Sequence, residues 1–431
     1  MKYFLLLLVG IGLPLQYSFG QTFSNQYSAP LTIASPASQG MSANRLARID
    51  KMLEQTIQED ILPGVVAIVV RNGKIVYHKA FGVADAKGKE DLSPDAIFRI
   101  ASQTKAITST AVMMLWEEGH FGLDDPIERY IPEFADPQVI DTFNEADSSF
   151  TTRPAKGSIT IRHLLTHTSG LGYGFIDGDP RFRKMYAKAG IVDGFTDQDI
   201  SIGENIKKLA KLPLHHDPGE RWTYAEGLDV LGYFIEIISG QAFDEFLAER
   251  IFRPLGMRDT YFYLPDNKAD RLVEVQRKVD GAWQIDDNPV YNEDYPISGA
   301  KAFFSGGAGL SSTAKDYATF LQMYLNKGEL NGVRLLSRTT VEVIMADHLG
   351  ERWGDKGRYH GLAFAVLNAT GAAKGGSGST GTFDWGGYFN SQYFADPEEQ
   401  VIGVILKQTQ GVGNDPTGWK FRQLVGAAID D

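Results

Sequence analysis

The chain has 431 residues, 43% of them hydrophobic, with a formal net charge of −12 and no cysteine. That length buries a large core and suits a two-lobed enzyme or two small domains, while the acidic balance argues against nucleic acid or an anionic membrane as partner. The missing cysteine excludes a disulfide framework, a thiol nucleophile and a lipid-bearing cysteine anchor.

In chain order, Lys2, the apolar run Phe4 to Leu13, Pro14 and the small residues Ser18 and Gly20 read as a secretory signal peptide over 1–20. The run is too short to span a bilayer, so the expectation is an exported protein, periplasmic or secreted, with no stable membrane anchor. Residues 21–40, polar with Pro and Ser, read as a poorly ordered lead-in. With no internal repeat and no long linker, 41–431 is expected to be one unit. Ala43 to Glu59 carries helical periodicity at Leu46, Ile49, Met52, Leu53 and Ile57. Val65 to Val70 and Ile75 to Phe81 flank Asn72-Gly73, a pair that supplies the positive φ of a tight antiparallel hairpin.

The stretch Phe98 to Lys105 then runs into the apolar segment Ala106 to Trp116 and offers Ser102 and Lys105 three residues apart at a helix start. That spacing puts Oγ and Nζ on one helical face, and the helix N-terminus favours an anionic serine. A lysine acts as a base only if burial or a neighbouring cation lowers its pKa from about 10.4, so such a site must be partly desolvated. Ser-x-x-Lys is a short pattern, and a lone copy is commonly a helix cap beside a solvated lysine. Two further copies occur. Ser298 to Lys301, between Pro296 and Gly306-Gly307, reads as a loop, whereas Ser312 to Lys315 opens an apolar-periodic segment and is not separated from Ser102 by spacing. A long middle section of helices and loops follows, in which 136–158, 172–203 and 273–295 read as long loops that shape a pocket. Late in the chain, Gly387 to Ala395 and Gln400 to Lys407 read as a strand pair around the turn Asp396 to Glu399, and Gly418 to Ile429 as a closing helix. Strands at both ends imply one antiparallel sheet built from both termini.

The company kept by Ser102 decides between the serines. It is followed by His163-Leu164-Leu165-Thr166-His167-Thr168-Ser169-Gly170-Leu171, Pro218-Gly219-Glu220-Arg221-Trp222-Thr223-Tyr224 and Trp385-Gly386-Gly387. In that order and spacing, over roughly residues 40 to 430, the chain resembles the serine beta-lactamase and penicillin-binding superfamily, specifically its class C-like and family VIII carboxylesterase branch. The resemblance implies an α/β (α+β) fold, an antiparallel sheet flanked by helices, with a mainly helical lobe inserted at about 106–300 and the cleft at their junction. It implies that Ser102 forms an acyl-enzyme and that Lys105 and Tyr224 carry protons, a role for which a phenol of pKa about 10 among cations is suited. It further implies an oxyanion hole from the backbone N–H groups of Ser102 and Tyr388, and substrate contacts from Glu226, Trp385, Gly386 and Gly387.

Two departures shift the expected substrate. Trp385 stands where lactamases carry a cationic lysine, and Glu226 stands two residues after the tyrosine, where asparagine or serine is common. A substrate carboxylate loses its positive partner, which favours neutral esters, unless Glu226 turns away to an arginine. The expectation is a carboxylesterase on small or medium acyl esters. Alternatives are a beta-lactamase, a D-amino-acid peptidase or peptidoglycan D,D-carboxypeptidase, an acyltransferase, or a non-catalytic receptor for cell-wall peptides or beta-lactams. No metal or cofactor is expected: His163 and His167 are four apart but residue 164 is leucine where a zinc protease needs glutamate, and His215-His216-Asp217 reads as a solvated loop. The Gly-rich 375–381 stretch lacks the Lys of a phosphate loop, and no Gly-x-Ser-x-Gly elbow occurs. Oligomeric state is left open.

Overall fold

The computed structural model describes residues 24–413 and 415–431, so the stretch 1–20 that reads as a signal peptide lies outside the described residues. Its centre is an eight-stranded sheet. The strands are β1 (Thr32–Ile33), β2 (Gly64–Arg71), β3 (Lys74–Gly82), β4 (Arg358–His360), β5 (Ala365–Leu367), β6 (Phe383–Gly387), β7 (Ser391–Asp396) and β8 (Val401–Leu406). Their order across the sheet is β1-β3-β2-β8-β7-β6-β5-β4, so β2 from the front of the chain pairs antiparallel with β8 from its end. The expected hairpin is present, with Asn72 at φ 52° and Gly73 at φ 71° between β2 and β3.

β2 is buried at every position because both faces of the sheet are covered. Val65, Ala67 and Val69 meet α1 (Ala43–Gln58) and the closing helix Thr417–Ala427 in a cluster with Leu46, Ile49, Leu53, Phe421 and Val425. Val66, Ile68 and Val70 join the larger core on the other face, with residues of α2 (Thr104–Glu117) and α3 (Ala314–Leu325) such as Ile107, Ala111, Phe320 and Leu321. A helix enclosed in this way has no polar face to show, and α2 is buried from Thr104 to Leu115. Its hydroxyls are satisfied inside: Thr108 Oγ1 donates to Gly306 O at 2.7 Å, and Thr110 Oγ1 pairs with Tyr324 Oη at 2.6 Å.

Three expectations are corrected. The lead-in is ordered over its described part, because Thr32 and Ile33 find parallel backbone partners in Lys74 and Ile75. The stretch Gly387 to Ala395 is not one strand: β6 ends at Gly387 and β7 begins at Ser391, with Asn390 at φ 68° turning the chain between them. The three long loops carry elements of their own, a hairpin over Gln138–Phe143 and Phe150–Pro154, a helix over Pro180–Ala189, and a hairpin over Gln276–Val279 and Ala282–Ile285. Among the described residues no helix is long and apolar enough to cross a membrane.

Candidate active site

The short strand Phe98–Arg99 pairs antiparallel with Ser311–Ser312, and Ala101–Gln103 then forms a 3-10 turn that leads into α2. Ala101 is fully buried at φ 45°, a left-handed conformation that costs a non-glycine residue about 1–3 kcal/mol and is held only by surrounding structure. The strained turn presents Ser102 at the head of α2. Tyr224, from the loop ahead of helix Gly227–Ser239, donates its Oη to Ser102 Oγ at 2.7 Å. Lys105 Nζ donates to Ser102 Oγ at 3.4 Å, to Gly307 O at 2.7 Å and to Tyr173 Oη at 3.3 Å. The ammonium also lies 4.7 Å from the Tyr224 ring centroid and 5.2 Å from that of Tyr173, and those two phenols stack at 5.4 Å. Three of the sequence-predicted residues, Ser102, Lys105 and Tyr224, therefore form one hydrogen-bonded group. Lys105 is 5% exposed, which is the desolvation expected for a lysine at this position.

Strand β6 brings the third motif to the same place. A Cβ on Gly387 would stand 2.5 Å from Ile100 O and 2.4 Å from Ser391 Oγ, so only glycine lets this strand end approach the turn ahead of Ser102. A Cβ on Gly386 would be 3.0 Å from Ser391 O. Trp385 is half-buried, with its ring 6.2 Å from that of Tyr224. Behind the turn that carries Tyr388, Gln410 Nε2 donates to Tyr388 O at 2.8 Å, and Asn390 Nδ2 donates to Asp415 Oδ2 at 3.0 Å. Asp415 in turn is paired with the fully buried Lys407.

Glu226 is in neither of the positions weighed from sequence. It is 2% exposed, accepts from Gly174 N at 3.1 Å, and has no arginine partner among the described residues. Burial, followed by the nearby Asp193 and Asp229, drives its pKa well up and favours the neutral acid. It stitches the 172–174 segment to the base of helix Gly227–Ser239, and Gly172 O accepts from Glu226 N at 3.1 Å. His215-His216-Asp217 is likewise no solvated loop. His215 Nε2 lies 3.0 Å from Asp177 Oδ2, which also accepts from Tyr173 N at 2.7 Å, and Asp217 pairs with Arg153 at 2.9 Å. His163 caps the short helix Ile161–Leu165, while His167 lies past its end at φ 56°, so the two share no helical face.

The residue that sequence reasoning missed is Tyr173. Burial, followed by Tyr224 and the carboxyls of Asp229 and Glu226, raises its pKa well above 10 and keeps it a neutral phenol. Gly307 was missed as well: its carbonyl holds Lys105, its N–H donates to Asp229 Oδ1 at 3.2 Å, and a Cβ there would stand 2.3 Å from Asp229 Oδ2. His167 packs its ring 4.8 Å from Tyr224 and accepts from Ala225 N at 3.3 Å; burial, then His360 and Lys105, lower its pKa well below 6.5. The signal for Tyr173 was its place two residues after Leu171, which fixes it to the same buried loop as His167.

The model of the family described as Beta-lactamase matches residues 49–427 of this chain. Esterase EstB of Burkholderia gladioli is 34% identical over 85% of the chain and 91% of its own length. ML-236A carboxylate methylbutanoyltransferase mlcH of Penicillium citrinum is 29% identical over 73% of each. Among solved structures, EstCE1, described as a hydrolase with promiscuous acyltransferase activity, superposes with a TM-score of 0.74 at 26% identity, covering 90% of this chain and 99% of that one.

Proposed function

The chain belongs to the beta-lactamase family, and from that premise we propose that it is a carboxylesterase acting through an acyl-enzyme on Ser102, on small or medium acyl esters. The observation that carries this is the hydroxyl of Ser102 held 2.7 Å from Tyr224 Oη and 3.4 Å from Lys105 Nζ at a strained turn. In the form of the Tyr224–Lys105 pair that has given up one proton, Oγ attacks the ester carbonyl carbon as its own proton passes to that pair. The N–H groups of Ser102 and Tyr388 bind the oxyanion. When the C–O bond breaks, the pair returns the proton to the leaving alkoxide, and the alcohol departs. Water then attacks the acyl carbon, its proton travels through the same pair to Ser102 Oγ, and the acid is released.

The preference for esters over beta-lactams rests on Trp385, which offers an apolar ring where a cation would bind a substrate carboxylate. Glu226 no longer contributes to that preference, because it is buried and hydrogen-bonded away from the serine. The two arginines that reach β6 are committed to Asp384, through Arg358 and Arg422. Similarity to a methylbutanoyltransferase supports a second reading, in which an alcohol rather than water resolves the acyl-enzyme. The substrate in either case is a small molecule.

The test is turnover of p-nitrophenyl acetate and butyrate against nitrocefin, by the native protein and Ser102→Ala. Serine-dependent ester hydrolysis with little nitrocefin turnover supports the esterase, and efficient nitrocefin hydrolysis overturns it in favour of a lactamase or peptidase. A new ester formed when an alcohol is added identifies transfer. The N-terminal run supports export, which an N-terminus at Gln21 in protein from the producing cell supports and an intact 1–20 stretch overturns.

A further inference from the structure

Tyr224 belongs to a closed circuit of aromatic rings whose other members no catalytic step uses. From Tyr224 the ring centroids step 6.0 Å to Trp222, 5.1 Å to Trp353, 5.2 Å to His360, 5.4 Å to Trp385 and 6.2 Å back to Tyr224. His167 sits among them, 6.1 Å from Trp222 and 5.9 Å from His360. The members come from separate parts of the chain: the loop before helix Gly227–Ser239, the 3-10 turn Gly350–Trp353, β4 and β6. Such convergence is not explained by core packing alone, because the three indoles and the Tyr224 phenol are only half-buried.

The two imidazoles form the closed side. His167 is 2% exposed and His360 3%; burial lowers the pKa of both, that of His360 to about 4, so each is neutral near pH 7. The circuit thus carries no full charge and includes no carboxylate. That composition gives an acid no cationic partner, an ammonium group would meet Lys105 Nζ already 4.7 Å from the Tyr224 ring centroid, and a flat apolar ring gains from stacked and edge contacts beyond its buried area. A second observation concerns hydrogen bonding. The indole Nε1 atoms of Trp222 and Trp353 are buried without an acceptor among the described residues. Buried donors are normally paired, so these two are unmet in this arrangement, and a ligand oxygen reaches them only if the indole rings shift as it enters.

We propose that this wall is a recognition subsite for an aromatic ring carried by the ester, with Trp222 and Trp353 as specificity-determining residues beside Trp385. The identification of the ligand as an ester rests on the esterase reading above. Because Tyr224 is both a member of the wall and the hydrogen-bond partner of Ser102 Oγ, a ring seated there places its ester group close to the nucleophile.

The test is calorimetric binding to full-length Ser102→Ala protein, which needs no turnover. Methyl benzoate is compared with methyl cyclohexanecarboxylate for a ring on the acyl side, and benzyl acetate with cyclohexylmethyl acetate for a ring on the alcohol side. Each pair matches bulk and differs in flatness. The aromatic member of at least one pair is expected to bind about 3- to 10-fold more tightly, and adding Trp353→Leu is expected to bring the pair within about twofold. Equal affinity in both pairs overturns the proposal, as does a preference that survives both Trp353→Leu and Trp222→Leu. Melting curves check that each variant folds, and Trp222→Leu decides if Trp353→Leu does not. Ring-selective binding without hydrolysis of any ester leaves the wall standing and removes the esterase reading.

Discussion

Two Ser-x-x-Lys turns lie side by side in this molecule, since the strand leading to Ser102 pairs residue for residue with the one containing Ser312, through Phe98↔Ser312 and Arg99↔Ser311. Both open a long buried helix, and they share nothing else of chemical consequence. Lys105 is buried against two phenol rings and a carbonyl, whereas Lys315 is exposed. Ahead of Ser102 stands Ala101 at φ 45°; after Ser312 comes an ordinary cap, Thr313 at φ −100°, which accepts from Asp316 N. Ser102 Oγ meets a titratable hydroxyl, Tyr224, while Ser312 Oγ, among the described residues, meets only Thr260 Oγ1 at 2.8 Å and Thr313 O at 3.4 Å. The spacing of serine and lysine provides a shared face; what the lysine is buried against gives that face its reactivity.

The most direct way to break this contrast is to remove each hydroxyl in turn. Ser102→Ala is expected to lower ester kcat/KM by about 10⁴-fold with an unchanged melting temperature. Ser312→Ala is expected to keep native turnover and lose about 1 kcal/mol of stability, because it removes a buried hydrogen bond. Loss of turnover in the second variant alone would reverse the assignment. Next in size come the proton carriers: Lys105→Met and Tyr224→Phe are each expected to cost about 10²- to 10⁴-fold in kcat, while Lys315→Met costs nothing measurable in the same assay.

Why the second turn was hard to dismiss from sequence is itself physical. Periodicity and capping residues report helix starts, and both serines stand at one. The hairpin at Asn72-Gly73, helix α1 and the closing helix were legible for the same reason, since each is set by local chemistry. Ser102, Lys105 and Tyr224 were legible only through motifs in series, and Trp385 to Gly387 likewise. Glu226 was misread because residue spacing gives no side-chain direction: two positions after Tyr224 the chain has already entered a helix start that faces the core. His215 was misread because its partner Asp177 is 38 residues away. Tyr173 was signalled only by its place in the buried loop after Leu171; its contact with Lys105 depends on Asp177 and Glu226 folding its segment inward.

That contact sharpens the comparison further, since among the described residues no ring equivalent to Tyr173 stands over the exposed Lys315. Tyr173→Phe keeps the ring beneath Lys105 and deletes one hydrogen-bond partner of a charged group, an interaction of about 1.5–3 kcal/mol. The expected effect is a loss of about 10- to 100-fold in kcat with KM little changed, together with a shift in the pH dependence of kcat that Tyr173→Leu also shows. An unchanged pH profile would mean that the phenol only packs.

The Ser312 region should answer to pH in stability rather than in rate. Asp316 is buried beneath it, accepting from Asp259 N at 2.7 Å and Thr260 Oγ1 at 3.1 Å. Burial raises its carboxyl from 3.8 to about 6, outweighing those hydrogen bonds. A carboxyl whose pKa is higher in the folded protein binds its proton more tightly there than in the unfolded chain. Its stabilising contribution is therefore complete below about pH 4 and is lost as the pH rises through about 6. Asp316→Asn keeps an oxygen to accept both hydrogen bonds and removes the titration. The variant should lose, between pH 4 and 7, the fall in melting temperature that this group adds to the native protein, while the pH dependence of ester turnover stays as in the native protein. A turnover profile that moves with Asp316→Asn would mean the two serine turns are coupled through their shared strands, and the division drawn between them would fail.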